Sequence, residues 1–181
     1  MGVTTSNVKS IFVNILALHP EIVYVANASY VYNRYNGSVS TLVISYIPNA
    51  KKVRESLVAA VKEVNKQVDT KNMKPAEIVL AYHEYLTSTV EYDASGIKDY
   101  STVYGRDHKY DMYGTLVDKK AVCQGYAETM NYLLKQSGVP CALATSQYIN
   151  HAWNVVRING KWYHVDATWD DPVTDLPGQS R

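Results

Sequence analysis

The sequence predicts an α+β fold, and three observations carry that prediction. Asn36-Gly37 and Asn159-Gly160 each sit between β-prone runs, and an Asn-Gly pair supplies the two positive φ angles that a two-residue hairpin turn needs. Between these signals, apolar residues recur at spacings of three and four in three stretches, the period of an amphipathic helix. Strands and helices that are grouped, rather than strictly alternating, point to α+β architecture.

In chain order, residues 22–47 read as strands, with 30–35 and 38–47 joined at Asn36-Gly37 into an N-terminal hairpin. Val53, Leu57, Val61, Val64 and Val68 then line one side of a helix whose other sides carry Lys52, Glu55, Lys62 and Lys66. Pro75 fits the first turn of a second helix that runs to about Thr89 and buries Ile78, Val79, Tyr82, Tyr85 and Leu86. Residues 93–110 have no clear period and read as a long irregular loop, which in a compact domain more often serves function than not. After a short segment at 113–117, Tyr126, Ala127, Met130, Leu133 and Leu134 mark a helix over 123–137, ended by Gly138 and Pro140. Strands are expected at 141–149, 151–158 and 161–168, the last two joined at Asn159-Gly160.

The 181 residues suit one domain over 1–181: a β-hairpin segment at 1–50, then a helical region and catalytic core at 51–181. The opening Met1-Gly2 and the unclosed end at 177–181 are what a piece cut from a longer protein would show. A formal net charge of +1 gives no field that would favour nucleic acid. No apolar run approaches the roughly 18 residues of a membrane span, and no signal-peptide pattern opens the chain. The oligomeric state is not legible. A helix starting at Cys123 carries the chain roughly 20 Å away before Cys141 arrives, whereas a disulfide needs Cα atoms within about 7 Å. Cys123 is therefore expected as a free thiol and Cys141 as a small buried side chain.

The second hairpin permits a geometric test. A two-residue turn pairs Ile158 with Lys161, Val156 with Tyr163 and Asn154 with Val165, which puts His151 and Asp166 on one face, diagonal to each other at about 7–8 Å. Such a carboxylate fixes the imidazole tautomer, favours its charged form and leaves the other ring nitrogen for a thiol. Cys123 is that thiol: the positive end of its helix and the imidazolium favour thiolate, and the first N–H groups of the helix are donors for an oxyanion. His164 shares the face, so zinc held by Cys123, His151, His164 and Asp166 is a rival reading. Neither paired-Cys nor helix-borne His spacing accompanies it, and no calcium loop is present, so no metal or cofactor is expected. Trp153, Trp162 and Trp169 read as core or cleft wall, with Trp153 near enough to His151 to screen it. His19, His83 and His108 have no partner evident in the sequence.

Gly114-Thr115-Leu116-Val117, Ala121-Val122-Cys123-Gln124-Gly125-Tyr126-Ala127, Ser137-Gly138-Val139-Pro140, His151-Ala152-Trp153-Asn154 and the run from Trp162 through Val165-Asp166-Ala167-Thr168-Trp169 to Pro172 together resemble bacterial transglutaminase-like core domains. These motifs cover roughly the last third of the chain. Pro20-Glu21-Ile22-Val23-Tyr24 and the two helices are similar in layout to the N-terminal part of clostridial-type members. The resemblance implies a papain-like transglutaminase core, with the Cys-bearing helix packed on an antiparallel sheet. It makes Cys123 the nucleophile, His151 the base and then acid, and Asp166 the orienting carboxylate. An upstream aromatic, Tyr113 by position or else Tyr92, would help hold the oxyanion. The implied activity is a cysteine peptidase or amidase acting through a thioester acyl-enzyme on a protein or peptide substrate, in an extracellular or cell-surface setting. A cross-linking transglutaminase is the alternative for the acyl acceptor, and a catalytically silent module of a surface protein is the alternative in another class.

Overall fold

Turn chemistry near the C-terminal end builds the sheet that positions the site. In the computed structural model, which describes residues 2–93, 95 and 107–171, β5 (Cys141–Ser146), β6 (His151–Ile158) and β7 (Lys161–Val165) form an antiparallel sheet in that order. Asn159 and Gly160 both take positive φ, at 50° and 81°, and Ile158 pairs with Lys161, Val156 with Tyr163 and Asn154 with Val165, the register a two-residue turn dictates. On β6, Ala152, Asn154 and Val156 point into the core. The strands are shorter than the sequence suggests at two ends. β5 stops at Ser146, before a turn that holds Asn150 at φ 48°. β7 stops at Val165 because Asp166 Oδ1 accepts the backbone N–H groups of Thr168 and Trp169 (3.1 and 3.2 Å), which turns the chain out of the sheet.

Across β5 and β6 lies α4 (Cys123–Gln136). It ends in a Schellman motif: Gly138 sits at φ 76°, its N–H donates to Lys135 O, and Val139 N–H donates to Leu134 O. Leu57 and Val64 of α2 (Ala50–Gln67) and Tyr82 and Leu86 of α3 (Pro75–Thr89) close the core over Met130, Leu133 and Leu134 of α4 and Val156 of β6. All five apolar residues assigned to the buried side of α3 are buried.

The N-terminal part departs from expectation. Residues 8–18 form a helix, α1 (Val8–Leu18), that the hairpin assignment for 1–50 leaves out. Its signal is weak, because only Val8 and Phe12, one turn apart, are buried, while Ile11, Ile15 and Leu18 are exposed. The hairpin strands are β1 (Val25–Tyr32) and β2 (Val39–Tyr46), not 30–35 and 38–47, and no two-residue turn forms at Asn36-Gly37. Asn33 Oδ1 accepts Tyr35 N–H and Asn36 Oδ1 accepts Ser38 N–H, winding residues 34–37 into a wider turn in which Gly37 alone takes positive φ. Two short parallel strands, β3 (Glu91–Tyr92) and β4 (Lys120–Ala121), were also not foreseen. Of the long loop expected at 93–110, residues 94 and 96–106 lie outside the described residues. Its far end is a 3-10 turn, His108–Tyr110, followed by a π-helical turn, Gly114–Asp118.

Candidate active site

The register of β6 and β7 and the Asp166 turn bring His151 and Asp166 together: His151 Nε2 and Asp166 Oδ2 lie 2.6 Å apart. Asp166 uses its other oxygen for the Thr168 and Trp169 N–H groups, so the carboxylate is held at both ends and its rotamer is set. Engaging Nε2 leaves Nδ1 of the ring for a second partner. Two indoles lie nearly parallel to the imidazole, Trp169 at 4.9 Å and 14° and Trp153 at 5.8 Å and 16°. Trp153 itself donates its Nε1–H to His164 Nδ1 (2.8 Å), which commits His164 away from the pair. Among the described residues no three His, Cys, Asp or Glu side chains gather as a metal-holding group.

Cys123 is the first residue of α4 and packs against Ala127 and Ala152, the latter adjacent to His151 in sequence. It is 3% exposed, and both it and the buried Cys141 are unbridged. Val122 occupies the N-cap without a side-chain hydrogen bond, since an apolar residue at that position has no acceptor to offer. Val122 N–H is instead tied to Lys109 O (2.9 Å), and Gly125 lets residues 109–115 pass close beneath the helix start. A Cβ on Gly125 would stand 2.8 Å from Lys109 O and 2.9 Å from Thr115 Oγ1.

The two aromatic candidates part company. Tyr113 lies against His108 (ring centroids 4.4 Å apart). Tyr92 pairs through β3 with Ala121, two residues before the thiol. Burial, and to a lesser degree the negative charge of an ionised Cys123, push the Tyr92 phenol above its usual pKa, which keeps it a donor. Cys141 is buried too; that burial, partly opposed by a hydrogen bond from Asn154, lifts its thiol to about 11.

A cleft of about 400 Å³ opens beside His151, lined by Gln124, Thr145, Ser146, Gln147, Asn150, His151 and Ala152. The loop after β7 is anchored twice more. His83 Nε2 of α3 meets Asp170 Oδ2 at 3.0 Å, and Tyr126 OH of α4 donates to the buried Asp171 at 2.5 Å. These anchors fix the segment that carries both Asp166 and Trp169, and sequence reasoning missed them. His83 and Asp170 are 87 residues apart, with no spacing to connect them. His108 was missed as well: it meets Asp111 Oδ2 at 3.0 Å across a 3-10 turn where the sequence predicts irregular loop.

The description "Transglutaminase-like superfamily" belongs to the family profile that matches residues 62–167. The chain is 30% identical over 71 residues to the kyphoscoliosis peptidases of Mus musculus and Homo sapiens, a stretch covering 32% of this chain and 11% of each of those proteins. Among solved structures, that of a TGase superposes with a TM-score of 0.51 at 18% identity, covering 67% of this chain and 34% of that one. A candidate cysteine protease from Cytophaga hutchinsonii covers 83% of this chain and 68% of its own, with a TM-score of 0.45 and 16% identity. The fold is the α+β, papain-like transglutaminase core, with the cysteine-bearing helix on an antiparallel sheet.

Proposed function

The chain belongs to the transglutaminase-like superfamily, and from that premise we propose that it is a cysteine hydrolase of peptide or carboxamide bonds working through a thioester on Cys123. The observation that carries this reading is the 2.6 Å His151–Asp166 contact beside a helix that begins at a cysteine. Asp166 orients the imidazole, so His151 takes the Cys123 proton and thiolate attacks the substrate carbonyl carbon. A C–S bond forms as the carbonyl π electrons move onto oxygen, where the first N–H groups of α4 and the Tyr92 hydroxyl are the donors at hand. The imidazolium returns its proton to the leaving nitrogen as the C–N bond breaks. His151 then deprotonates water, whose attack on the thioester releases the acid and restores the thiol.

Water is the acceptor this site favours. The cleft beside His151 is lined by Thr145, Ser146, Gln147 and Asn150, side chains that hold water, not exclude it. Trp169, stacked on the imidazole, is 71% exposed, so it covers the ring without sealing the cleft. The stack shields the His151–Asp166 hydrogen bond on one side, where solvent would weaken it.

Alkylation separates this reading from a silent binding module. With its pKa at about 11, Cys141 is only about one part in a thousand thiolate at pH 8. Iodoacetamide followed by peptide mass mapping is therefore expected to label Cys123 far faster than Cys141. Equal, slow labelling of both thiols is the result that rejects an activated nucleophile.

A further inference from the structure

β5 is an outer strand of the sheet that carries His151, and its unpaired side runs up to the His151 cleft. The strand order is β5-β6-β7, so β6 covers only one side of β5. Arg157 N–H donates to Pro140 O (2.9 Å), and that bond sets the alternation along the ladder. Ala142, Ala144 and Ser146 exchange their bonds with β6, whereas Cys141, Leu143 and Thr145 turn their main-chain groups outward. Cys141 O is taken by the side-chain amide of Asn131 on α4 (3.2 Å). The N–H and C=O groups of Leu143 and Thr145 have no partner among the described residues, and both residues are exposed. Set two residues apart, these four groups match the repeat of an extended chain laid beside them.

Exposed edges are ordinarily blunted by charge, proline or a bulge. Cys141–Ser146 has no charged residue and no proline, and its register with β6 is unbroken. By contrast, β1 pairs with β2 through two irregularities, and β7 opens on Lys161. The end of β5 decides what pairs there. Thr145 and Ser146 line the His151 cleft together with Gln124. Thr145 sits opposite Ala152, against which Cys123 packs, so the Thr145 side chain shares the face that holds the thiol. A strand added beside β5 lies two spacings, about 10 Å, from Ala152, a distance that an extended chain leaving the edge at Thr145 covers in about three residues.

We propose that the outer edge of β5 binds the peptide substrate as a fourth strand, main chain to main chain at Leu143 and Thr145, and leads the reacting carbonyl into the His151 cleft a few residues further on. The proposal rests on the reading of Cys123 as nucleophile and adds the form in which substrate is held. That form is an extended segment recognised by its backbone, and so tolerant of side-chain sequence but not of proline at the paired positions.

Amide hydrogen exchange followed by NMR on the full chain carrying Cys123→Ala, which needs no turnover, tests it with an acetylated, amidated glutaminyl peptide of alternating threonine and valine. In the absence of peptide, Ala142 and Ala144 are expected to exchange slowly, and Leu143 and Thr145 fast. Peptide should slow Leu143 and Thr145 and leave Trp162 and His164, on the opposite edge of the sheet, unchanged. A backbone N-methyl group placed at each peptide position in turn should weaken binding about tenfold at alternate positions of the paired segment and hardly at those between. Leu143→Pro removes an outward donor that gives nothing to β6, so it should weaken the peptide by a similar factor while keeping the circular dichroism of the parent. Should that variant not fold, the methyl scan on the unsubstituted edge decides. Slow exchange of Leu143 and Thr145 before peptide is added shows that another part of the chain or a second copy covers the edge, and overturns the proposal. Uniform methyl effects, or no saturable binding, do the same. Peptide-dependent protection of Leu143 and Thr145, with Cys123 of the unsubstituted chain alkylated no faster than Cys141, keeps the edge and removes the nucleophile; an acylated Cys123 with uniform methyl effects does the reverse.

Discussion

A His151→Ala variant is expected to form acyl-enzyme about a thousandfold more slowly than the unsubstituted chain, in the middle of the range for losing a positioned general base. The size follows from how many tasks the ring performs. In the proposed mechanism it takes the thiol proton, stays as the cation beside the thiolate, and hands the proton to the leaving nitrogen. Asp166 does not take over, because its Oδ1 stays held by the Thr168 and Trp169 N–H groups, which fixes the carboxylate in its turn. Stopped-time mass spectrometry on the acyl-enzyme checks the rate, and circular dichroism checks that the fold survives. A rate within about threefold of the parent would remove His151 from the chemistry, because the loss of a general base costs at least about a hundredfold.

The largest expected effect on stability lies away from Cys123, His151 and Asp166, at Gly114. A Cβ there would stand 2.0 Å from the His108 carbonyl oxygen and 2.5 Å from its carbon, and neither atom belongs to a side chain that could swing aside. Gly114 opens the π-helical turn, and Asp111 Oδ1 accepts its N–H as well as that of Tyr113. Gly114→Ala therefore has to move the 108–111 backbone. It is expected to cost more than about 3 kcal/mol, the upper end of ordinary overpacking. For a chain of this length that is a fall in thermal midpoint of roughly 6–12 °C. The same shift should slow acylation, because Lys109 O, next to the displaced carbonyl, holds Val122 at the start of the Cys123 helix. Calorimetric midpoints and acylation rates measured together check the coupling; an unchanged midpoint would show that this close approach carries no such constraint.

The His151–Asp166 contact and the helix start at Cys123 were legible because each follows a local rule. Asn159-Gly160 fixes the register of β6 and β7, the register fixes which side chains share a face, and Gly138 with Pro140 fixes where α4 ends. The α3 stripe was readable for the same reason, with Pro75 at its start and a full 3.6-residue period behind it. At Asn36-Gly37 the rule failed because the competing side chains of Asn33 and Asn36 capture backbone N–H groups and widen the turn. The helix at 8–18 hid because a stripe of two buried residues is too narrow to signal a period. What the sequence could not disclose are contacts between distant elements: the His83–Asp170 and Tyr126–Asp171 anchors, and the neighbourhood of Tyr92, which reaches Cys123 only through a two-residue parallel pairing. Position along the chain favoured Tyr113 as the oxyanion aromatic, whereas strand pairing brings Tyr92 towards the thiol; a local rule has no access to that difference.

Trapping the acyl-enzyme tests the central claim most directly. The chain is incubated with a glutaminyl peptide, quenched in acid within seconds, and digested for tandem mass spectrometry. The expected product is an adduct of peptide mass less ammonia on the tryptic fragment that contains Cys123, absent from Cys123→Ala and cleared over time by water. The contradicting result is no adduct on Cys123, or the same adduct in Cys123→Ala.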